Sequence, residues 1–125
     1  MKEERIQVKG RERRTFQRFK VSLQVDYARV ETKLPKAAVA EDASEGGLML
    51  HIQERLKIGT KVYVALLFSL GFELTGVKAL SQVMWKDTVL EEGWGRYKCG
   101  LKFLQIADED IAKLRQLRAQ LAIRP

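Results

Sequence analysis

The sequence is poor in the residues that carry most enzyme chemistry. It has one histidine, one cysteine and two prolines among 125 residues. A single cysteine, Cys99, excludes an internal disulfide and is typical of a reducing compartment. No H-E-x-x-H, C-x-x-C or G-x-x-x-x-G-K segment occurs, so the usual metal and phosphate signatures are missing. We therefore expect no catalytic residues and no metal site, and we do not expect an enzyme.

Long apolar segments are also missing. The longest apolar run, 62–68, is far shorter than the roughly 20 residues that a membrane-spanning helix needs. The chain starts with the polar segment MKEERIQVKGRERR, which contains no secretory signal core. Both observations predict a soluble, cytoplasmic protein that is not inserted in a membrane.

Positive charge is in excess and part of it is concentrated at the start of the chain. The sequence has 23 Lys and Arg against 16 Asp and Glu, a formal charge of +7. Residues 1–20 contain eight basic and three acidic residues, which leaves +5 in that segment. Such a segment favours partners that carry phosphate, and a solvated, disordered tail is the alternative interpretation.

Two combinations of chemically active residues are too incomplete to predict a site. His51 and Glu54 are two metal ligand types, whereas a structural zinc needs about four. Asp42, Ser44 and His51 are the residue types of a hydrolytic triad, but no G-x-S-x-G turn surrounds the serine.

Hydrophobic periodicity predicts a mainly β domain that ends in a helix. Apolar and polar residues alternate over 19–27, and further strands are predicted at 37–41, 48–52, 61–68, 72–86 and from residue 97 to 103. The segment 61–68 is apolar nearly throughout, so we expect a fully buried strand there. Apolar residues three to four apart after Asp108 predict an amphipathic helix. This pattern indicates a closed β-barrel or a small sandwich with a C-terminal helix.

Two separated segments form the strongest functional signal. The first is an R-x-x-x-R stretch, Arg14 to Arg18, and the second is a D-x-S-x-x-G turn, Asp42 to Gly47. Antiparallel pairing of 19–27 with 37–41 would bring Arg18 and Asp42 to one rim of the barrel.

The residue types in these segments suit a guanine-bearing anion. Arginine forks match phosphate and the O6/N7 edge of guanine. The Asp42 carboxylate can accept hydrogen bonds from the guanine N1–H and N2–H₂ groups, and Ser44 can donate or accept beside it. Gly46 and Gly47 let the backbone approach a flat ligand closely.

Together the two segments resemble the PilZ family, in which R-x-x-x-R precedes the first barrel strand and D/N-x-S-x-x-G follows the second. The resemblance covers roughly residues 11–121 and extends to RERRTFQRFKV, VAEDASEGGLML and YKCGLKF. It implies a six-stranded antiparallel β-barrel with a C-terminal α-helix. Because residues 1–18 carry little apolar periodicity and the alternation begins at Phe19, we divide the chain into a flexible basic arm, 1–18, and the barrel with its helix, 19–125.

The resemblance also implies a ligand, the bacterial second messenger cyclic di-GMP, and no cofactor. Arg14 and Arg18 would bind phosphates and guanine edges. Asp42 and Ser44 would hydrogen-bond a guanine, and Gly47 would shape the turn.

Two further residues are candidates for the same site. Arg13 adjoins the motif and would add a guanidinium. Trp85, on the long fifth predicted strand, could offer a stacking face, although a tryptophan on an alternating strand is more often in the core, and we expect the core position.

The functional hypothesis is a receptor that orders its arm on binding cyclic di-GMP and signals to a partner protein in motility, adhesion or polysaccharide export. The arm or the basic helix 111–124 would contact that partner, and DNA is not an expected partner. Two alternatives remain: a β-barrel that binds single-stranded nucleic acid, and a PilZ-like adaptor that binds only proteins.

Overall fold

The computed structural model describes the backbone of residues 5–7 and all of residues 16–88 and 97–123. Its elements in chain order are β1 (Arg5–Gln7), β2 (Phe19–Arg29), β3 (Lys36–Ala43), β4 (Gly47–Ile52), β5 (Lys61–Leu70), β6 (Glu73–Thr88), β7 (Tyr97–Ala107) and α1 (Asp108–Ile123).

Strands β2 to β7 close into a six-stranded antiparallel barrel, as predicted. The sheet order is β7-β4-β3-β2-β5-β6, and β6 pairs with β7 to complete the ring. All six strands predicted from periodicity are present, because each buries an alternating apolar set on its inner side. Closure leaves few free strand edges, which stabilises a small all-β domain.

The first strand differs from the sequence prediction, which placed 1–18 in a flexible arm. Residues Arg5–Gln7 form a short strand whose backbone pairs with residues 105–107 of β7. Three residues carry too little periodicity for a strand to be predicted from sequence. The mobility of the remaining arm stays a prediction, and residues 1–4 and 8–15 lie outside the described part of the chain.

The barrel interior and the inner face of α1 share one apolar core. Ile111, Leu114 and Leu117 of the helix are buried against it. The largest fully buried side chains come from every strand of the closed barrel except β3, from the β4–β5 loop and from α1: Phe103, Leu50, Ile52, Leu56, Leu66, Ile106, Leu114, Val25, Val62, Val77, Val83 and Cys99. Burial raises the pKa of the Cys99 thiol to about 12, so this side chain acts as a small apolar residue.

The helix also covers the part of β6 that β7 does not reach. Lys113 Nζ donates to the Gly76 carbonyl at 3.0 Å, and the Lys78 backbone N–H donates to Asp110 Oδ2 at 3.1 Å. Further along, Gln120 accepts from the Gly71 N–H at 2.7 Å. These bonds satisfy an otherwise free strand edge.

One buried hydroxyl in the core is a destabilising feature. Ser81 is fully buried, and its Oγ has no hydrogen-bond partner among the described residues. Because an unsatisfied buried hydroxyl keeps its desolvation cost, Ser81→Ala is expected to raise the free energy of unfolding by about 1 kcal/mol in urea titrations. Ser69→Ala, on an exposed site, is the control and should change little. A loss of stability in Ser81→Ala would contradict this interpretation.

A polar network at the C-terminal end of β2 predicts that the stability of the fold depends on pH. Tyr27 Oη donates to Glu54 at 2.6 Å, and Arg29 and Lys36 lie 2.9 and 3.2 Å from the same carboxylate. Burial alone would raise the pKa of Glu54, but the hydrogen bonds from Tyr27 and Lys36 and the two positive charges outweigh it, so this pKa is lowered.

A carboxyl with a lowered pKa stabilises the fold above its unfolded-state pKa, and this contribution is lost as pH falls through the folded pKa. We expect Glu54→Gln to be less stable than the natural protein near neutral pH. The difference in unfolding free energy should shrink as urea titrations move from about pH 7 to about pH 3. A difference that stays constant with pH would contradict the network's role.

Candidate ligand-binding site

The β2–β3 pairing brings Arg18, the last residue of the first motif, beside the start of the second. Lys20 pairs with Asp42 and Phe19 with Ala43, so Arg18, just before β2, lies beside the end of β3. The Arg18 Nη1 atom is 3.6 Å from Asp42 Oδ1. The juxtaposition expected from the sequence is therefore present.

The Arg18–Asp42 ion pair is weak enough to be exchanged. The Arg18 side chain is 66% exposed, and exposed ion pairs contribute little to stability because water screens them. The guanidinium can therefore turn towards an incoming anion at small cost, while Asp42, with 15% of its side chain exposed, stays on the barrel wall.

The turn after Asp42 is held by its own hydrogen bonds. The Ser44 backbone N–H donates to the Gly47 carbonyl at 2.9 Å, and the Gly46 N–H donates to Ser44 Oγ at 3.0 Å. The hydroxyl accepts in this bond, so its own proton remains available for a ligand. The turn is thus shaped before any ligand arrives.

Gly47 is required for packing against β7. A Cβ atom on Gly47 would lie 2.0 Å from the Leu101 carbonyl oxygen, a distance that no side chain tolerates. Beside it, the Phe16 ring packs on Gly46 and holds the end of the arm at the turn. Gly47, the last position of the motif, is therefore needed because its backbone lies close to the backbone of Leu101.

Trp85 is not in the core, so that sequence prediction is wrong. A register shift lies between Val83, which pairs with Leu101, and Trp85, which pairs with Gly100. The extra residue, Met84, reverses the alternation, so the indole is 38% exposed on the outer face. A strict alternation along the strand places residues 83 and 85 on the same side of the sheet. Only the bulge puts them on opposite sides.

The Trp85 ring lies on the backbone of β7. A Cβ atom on Gly100 would meet Trp85 Nε1 at 2.0 Å, so the indole occupies the space that a side chain would fill. The indole is therefore held against the β7 backbone, and with 38% of the residue exposed it is accessible to another planar group.

A single row of residues crosses the outer wall from the arginine motif to Trp85. The strand registers connect its members in order: Lys20, Asp42, Met49, Gly100 and Trp85. With about 4.8 Å between neighbouring strands, the path from Asp42 to Trp85 along the curved wall is roughly 14 Å. Hydrogen-bonding groups thus lie at one end of the row and an aromatic face at the other.

Basic residues adjoin the turn at several points. Those that lie next to Asp42, Gly47 or Glu45 are Arg18, Lys20, Lys102, Arg115 and Arg118. Such an arrangement attracts a ligand that carries phosphate.

Glu45 connects the turn to the C-terminal helix. The sequence predicted the helix but not this contact. Its Oε2 is 3.1 Å from Arg115 Nε and 3.9 Å from Arg118 Nη1, and only 12% of its side chain is exposed. Residue 45 is a variable position of the D-x-S-x-x-G pattern, so the motif gives no signal for it. The basic helix was recognised in the sequence, but only the fold shows its acidic partner.

His51 and Glu54, the two metal ligand types noted in the sequence, take different partners in the structure. His51 Nε2 lies 2.9 Å from Glu41 Oε2, whereas Glu54 belongs to the Tyr27 network. Across the described residues, no three His, Cys, Asp or Glu side chains are arranged to hold a metal ion.

The remaining predicted site residues divide into two groups. Asp42, Ser44, Gly46 and Gly47 form the turn, and Arg18 adjoins it. Arg13 and Arg14 lie outside the described residues, so their part in the site stays a prediction.

Solved structures that are similar to this chain include two that bear on its fold. The crystal structure of the PilZ domain of CeSA from a cellulose-synthesizing bacterium is 18% identical, with a TM-score of 0.55, over 85% of this chain and 98% of that one. The structure of the Bacillus subtilis inhibitor of motility (MotI/DgrA) is 17% identical, with a TM-score of 0.74, over 90% of this chain. This chain spans about half of that protein, 54% of its length. No curated protein matches the chain.

Within the described residues, no helix is both long and apolar enough to cross a membrane.

A protein-family match classifies the chain. The PilZ domain matches residues 12–120, which include both motifs and all of β2 to β7. The chain therefore belongs to the PilZ domain family.

Proposed function

We propose that this protein is a cyclic di-GMP receptor that passes the signal to a partner protein. The observation that carries the proposal is the Arg18–Asp42 pair beside the preformed Ser44–Gly47 turn, in a chain whose PilZ match begins before the R-x-x-x-R stretch. Family membership supports a receptor or adaptor rather than an enzyme.

The proposed binding mode uses the row on the outer wall. Arg18 leaves Asp42 and, with Arg14, binds phosphate and the O6/N7 edge of guanine. Asp42 then accepts from the guanine N1–H and N2–H₂ groups, while the Ser44 hydroxyl donates beside it. Trp85 offers its free face to a planar base, and Arg13 adds positive charge to the arm.

The proposed switch is an ordering of the arm. Residues 1–18 have few apolar anchors, of which Phe16 against Gly46 is the last before β2. Ligand phosphates would draw the arginines onto the turn and so change the surface presented to a partner. Limited proteolysis tests this step: cleavage within 11–18 should slow when cyclic di-GMP is added, and equal rates would exclude the ordering step.

The link from Glu45 to the helix offers a second route for the signal. A ligand that changes the turn would alter the Glu45 contacts with Arg115 and Arg118, and thereby the charge exposed on α1. The partner would belong to motility, adhesion or polysaccharide machinery. The similarity to an inhibitor of motility and to a PilZ domain of CeSA makes these classes the first to screen.

The test of the proposed function is a calorimetric titration of the full chain with cyclic di-GMP, with GTP as the control ligand. We expect saturable binding of cyclic di-GMP, and the same curve gives the stoichiometry. A two-phosphate ligand should also show a shallow salt dependence. Absence of binding at high ligand concentration would overturn the receptor function, and tight, steeply salt-dependent binding of single-stranded DNA would favour the nucleic-acid alternative.

A further inference from the structure

The outer face of the β5–β6 hairpin is apolar and exposed, contrary to the prediction that 61–68 is buried throughout. Tyr63 and Leu67 on β5 are 46% and 58% exposed, and Leu74 on β6 is 67% exposed. A strand that is apolar on both faces is typical of one that is covered on both faces. The barrel covers only the inner face, so the outer one fits a further protein surface.

A cleft of about 500 Å³ continues this face towards β2 and β7. Small side chains, Ala28 and Ala65, lie among its lining residues beside larger apolar ones such as Tyr63 and Leu80. Its shape admits a bulky apolar side chain from another surface, because the small residues leave the space between the larger ones open.

Two opposite charges flank the centre of this face at equal spacing. The strand registers place Asp26, Ala65 and Lys78 side by side on β2, β5 and β6. Each charged residue is thus one strand away from Ala65, about 5 Å on either side. Among the salt bridges of the described residues, neither Asp26 nor the Lys78 ammonium takes part.

We propose that this face binds a second copy of the same chain. When two copies stack these faces, a two-fold axis runs between the two sheets, parallel to β5. This axis reverses the order of the three residues across the strands in the second copy. Asp26 then lies opposite Lys78 of the partner subunit, and Lys78 lies opposite the partner's Asp26. A two-fold interface must be self-complementary, and this row of one acid, one alanine and one base has that property.

The same axis brings the apolar residues together. Because Tyr63 and Leu67 both lie on β5, each lies near the two-fold axis and meets its own copy, and the two Tyr63 rings lie at the edge of the cleft. Aligned sheet packing at about 10 Å is the usual geometry of such a sandwich. The acid and the base of this row cancel, and the other charged side chain that lines the cleft, Asp110, is already paired with Lys113 at 3.3 Å. Such a face fits a copy of itself better than a strongly acidic or basic partner.

The proposed dimer leaves the ligand site free. In the closed ring β5 lies opposite β4, which begins at the ligand turn, and Trp85 on β6 lies seven residues beyond Lys78, roughly 23 Å along the strand. The two ligand turns of a dimer would therefore face outwards, away from each other. Dimerisation does not depend on the proposed receptor function. A titration without cyclic di-GMP binding would contradict the receptor function alone, and a mass measurement without a dimer would contradict the dimer alone.

The test is sedimentation velocity of the full chain up to about 100 µM, where even a micromolar dimer is saturated. We expect a dimer for the natural sequence. Asp26→Lys and Lys78→Asp alone should each weaken it at least about tenfold, because each creates two like-charge contacts across the axis. The double variant Asp26→Lys/Lys78→Asp restores both pairs and should regain the dimer.

Two further variants complete the design. Asp87→Lys makes the same charge change on β6 away from this face and should remain dimeric. Leu67→Asp should be monomeric, with circular dichroism and thermal unfolding as checks of folding. The proposal is overturned by a monomeric natural protein, by a dimer that the single charge changes leave intact, or by a folded double variant that stays monomeric.

Discussion

Arg18→Ala is expected to lower the affinity for cyclic di-GMP by about 10- to 100-fold. A charge-assisted hydrogen bond contributes about 1.5–3 kcal/mol, and each 1.4 kcal/mol is a factor of ten in the dissociation constant. Because the Arg18 side chain is 66% exposed, its removal should leave the stability of the fold nearly unchanged. The measurement is calorimetric titration of both proteins under the same salt concentration.

Asp42→Ala separates specific recognition from simple charge attraction. This change removes a negative charge beside the proposed phosphate site, so binding driven only by charge would become tighter. We expect weaker binding, because the carboxylate that accepts from guanine is lost. Tighter binding by Asp42→Ala would contradict the guanine contact, although not the site itself.

A matched control tests whether any exposed arginine has the same effect. Arg55 is exposed and lies over the Tyr97 ring, with 5.9 Å between its guanidinium carbon and the ring centroid. It does not adjoin the turn, so Arg55→Ala should keep the affinity of the natural protein. Equal losses in Arg18→Ala and Arg55→Ala would indicate a general charge effect and would contradict the assigned site.

Gly47→Ala is expected to destabilise the fold by about 3 kcal/mol or more, at the upper end of the cost of overpacking. The added methyl group would lie 2.0 Å from the Leu101 carbonyl oxygen, and both atoms belong to paired backbone segments that cannot move independently. The melting temperature should fall by roughly 10 °C. Urea unfolding, followed by tryptophan fluorescence, measures the loss directly.

Gly76→Ala is the matched control for this prediction. A Cβ atom on Gly76 would lie 3.2 Å from the Leu66 carbonyl oxygen, so a shift of a few tenths of an ångström accommodates it. We expect a much smaller change in unfolding free energy for this strand glycine. Similar losses in the two variants would mean that the close approach at Gly47 is not the cause.

The strands and the helix were predictable because their signals are local. Inward and outward residues alternate along β2, and the helix repeats its apolar residues every three to four positions. Closure of the barrel followed from six such strands and the PilZ resemblance. The approach of Arg18 to Asp42 was also predictable, because an antiparallel hairpin fixes which strand ends are neighbours.

The errors at Trp85 and on β5 have different physical causes. A single inserted residue, Met84, reverses the side to which Trp85 points, and periodicity contains no term for such a bulge. On β5 the apolar outer residues look identical to core residues in the sequence. Only the assembled barrel shows that nothing within the described chain covers Tyr63 and Leu67.

By itself the sequence determined which segments are strands, where the helix lies and which two motifs meet at the barrel rim, because spacing along the chain encodes these features. The tertiary structure decided the rest: the outward Trp85, the exposed β5–β6 face and the contact of Glu45 with Arg115. Each of these depends on groups far apart in the chain, and their proximity is set by strand register and helix packing rather than by any local pattern.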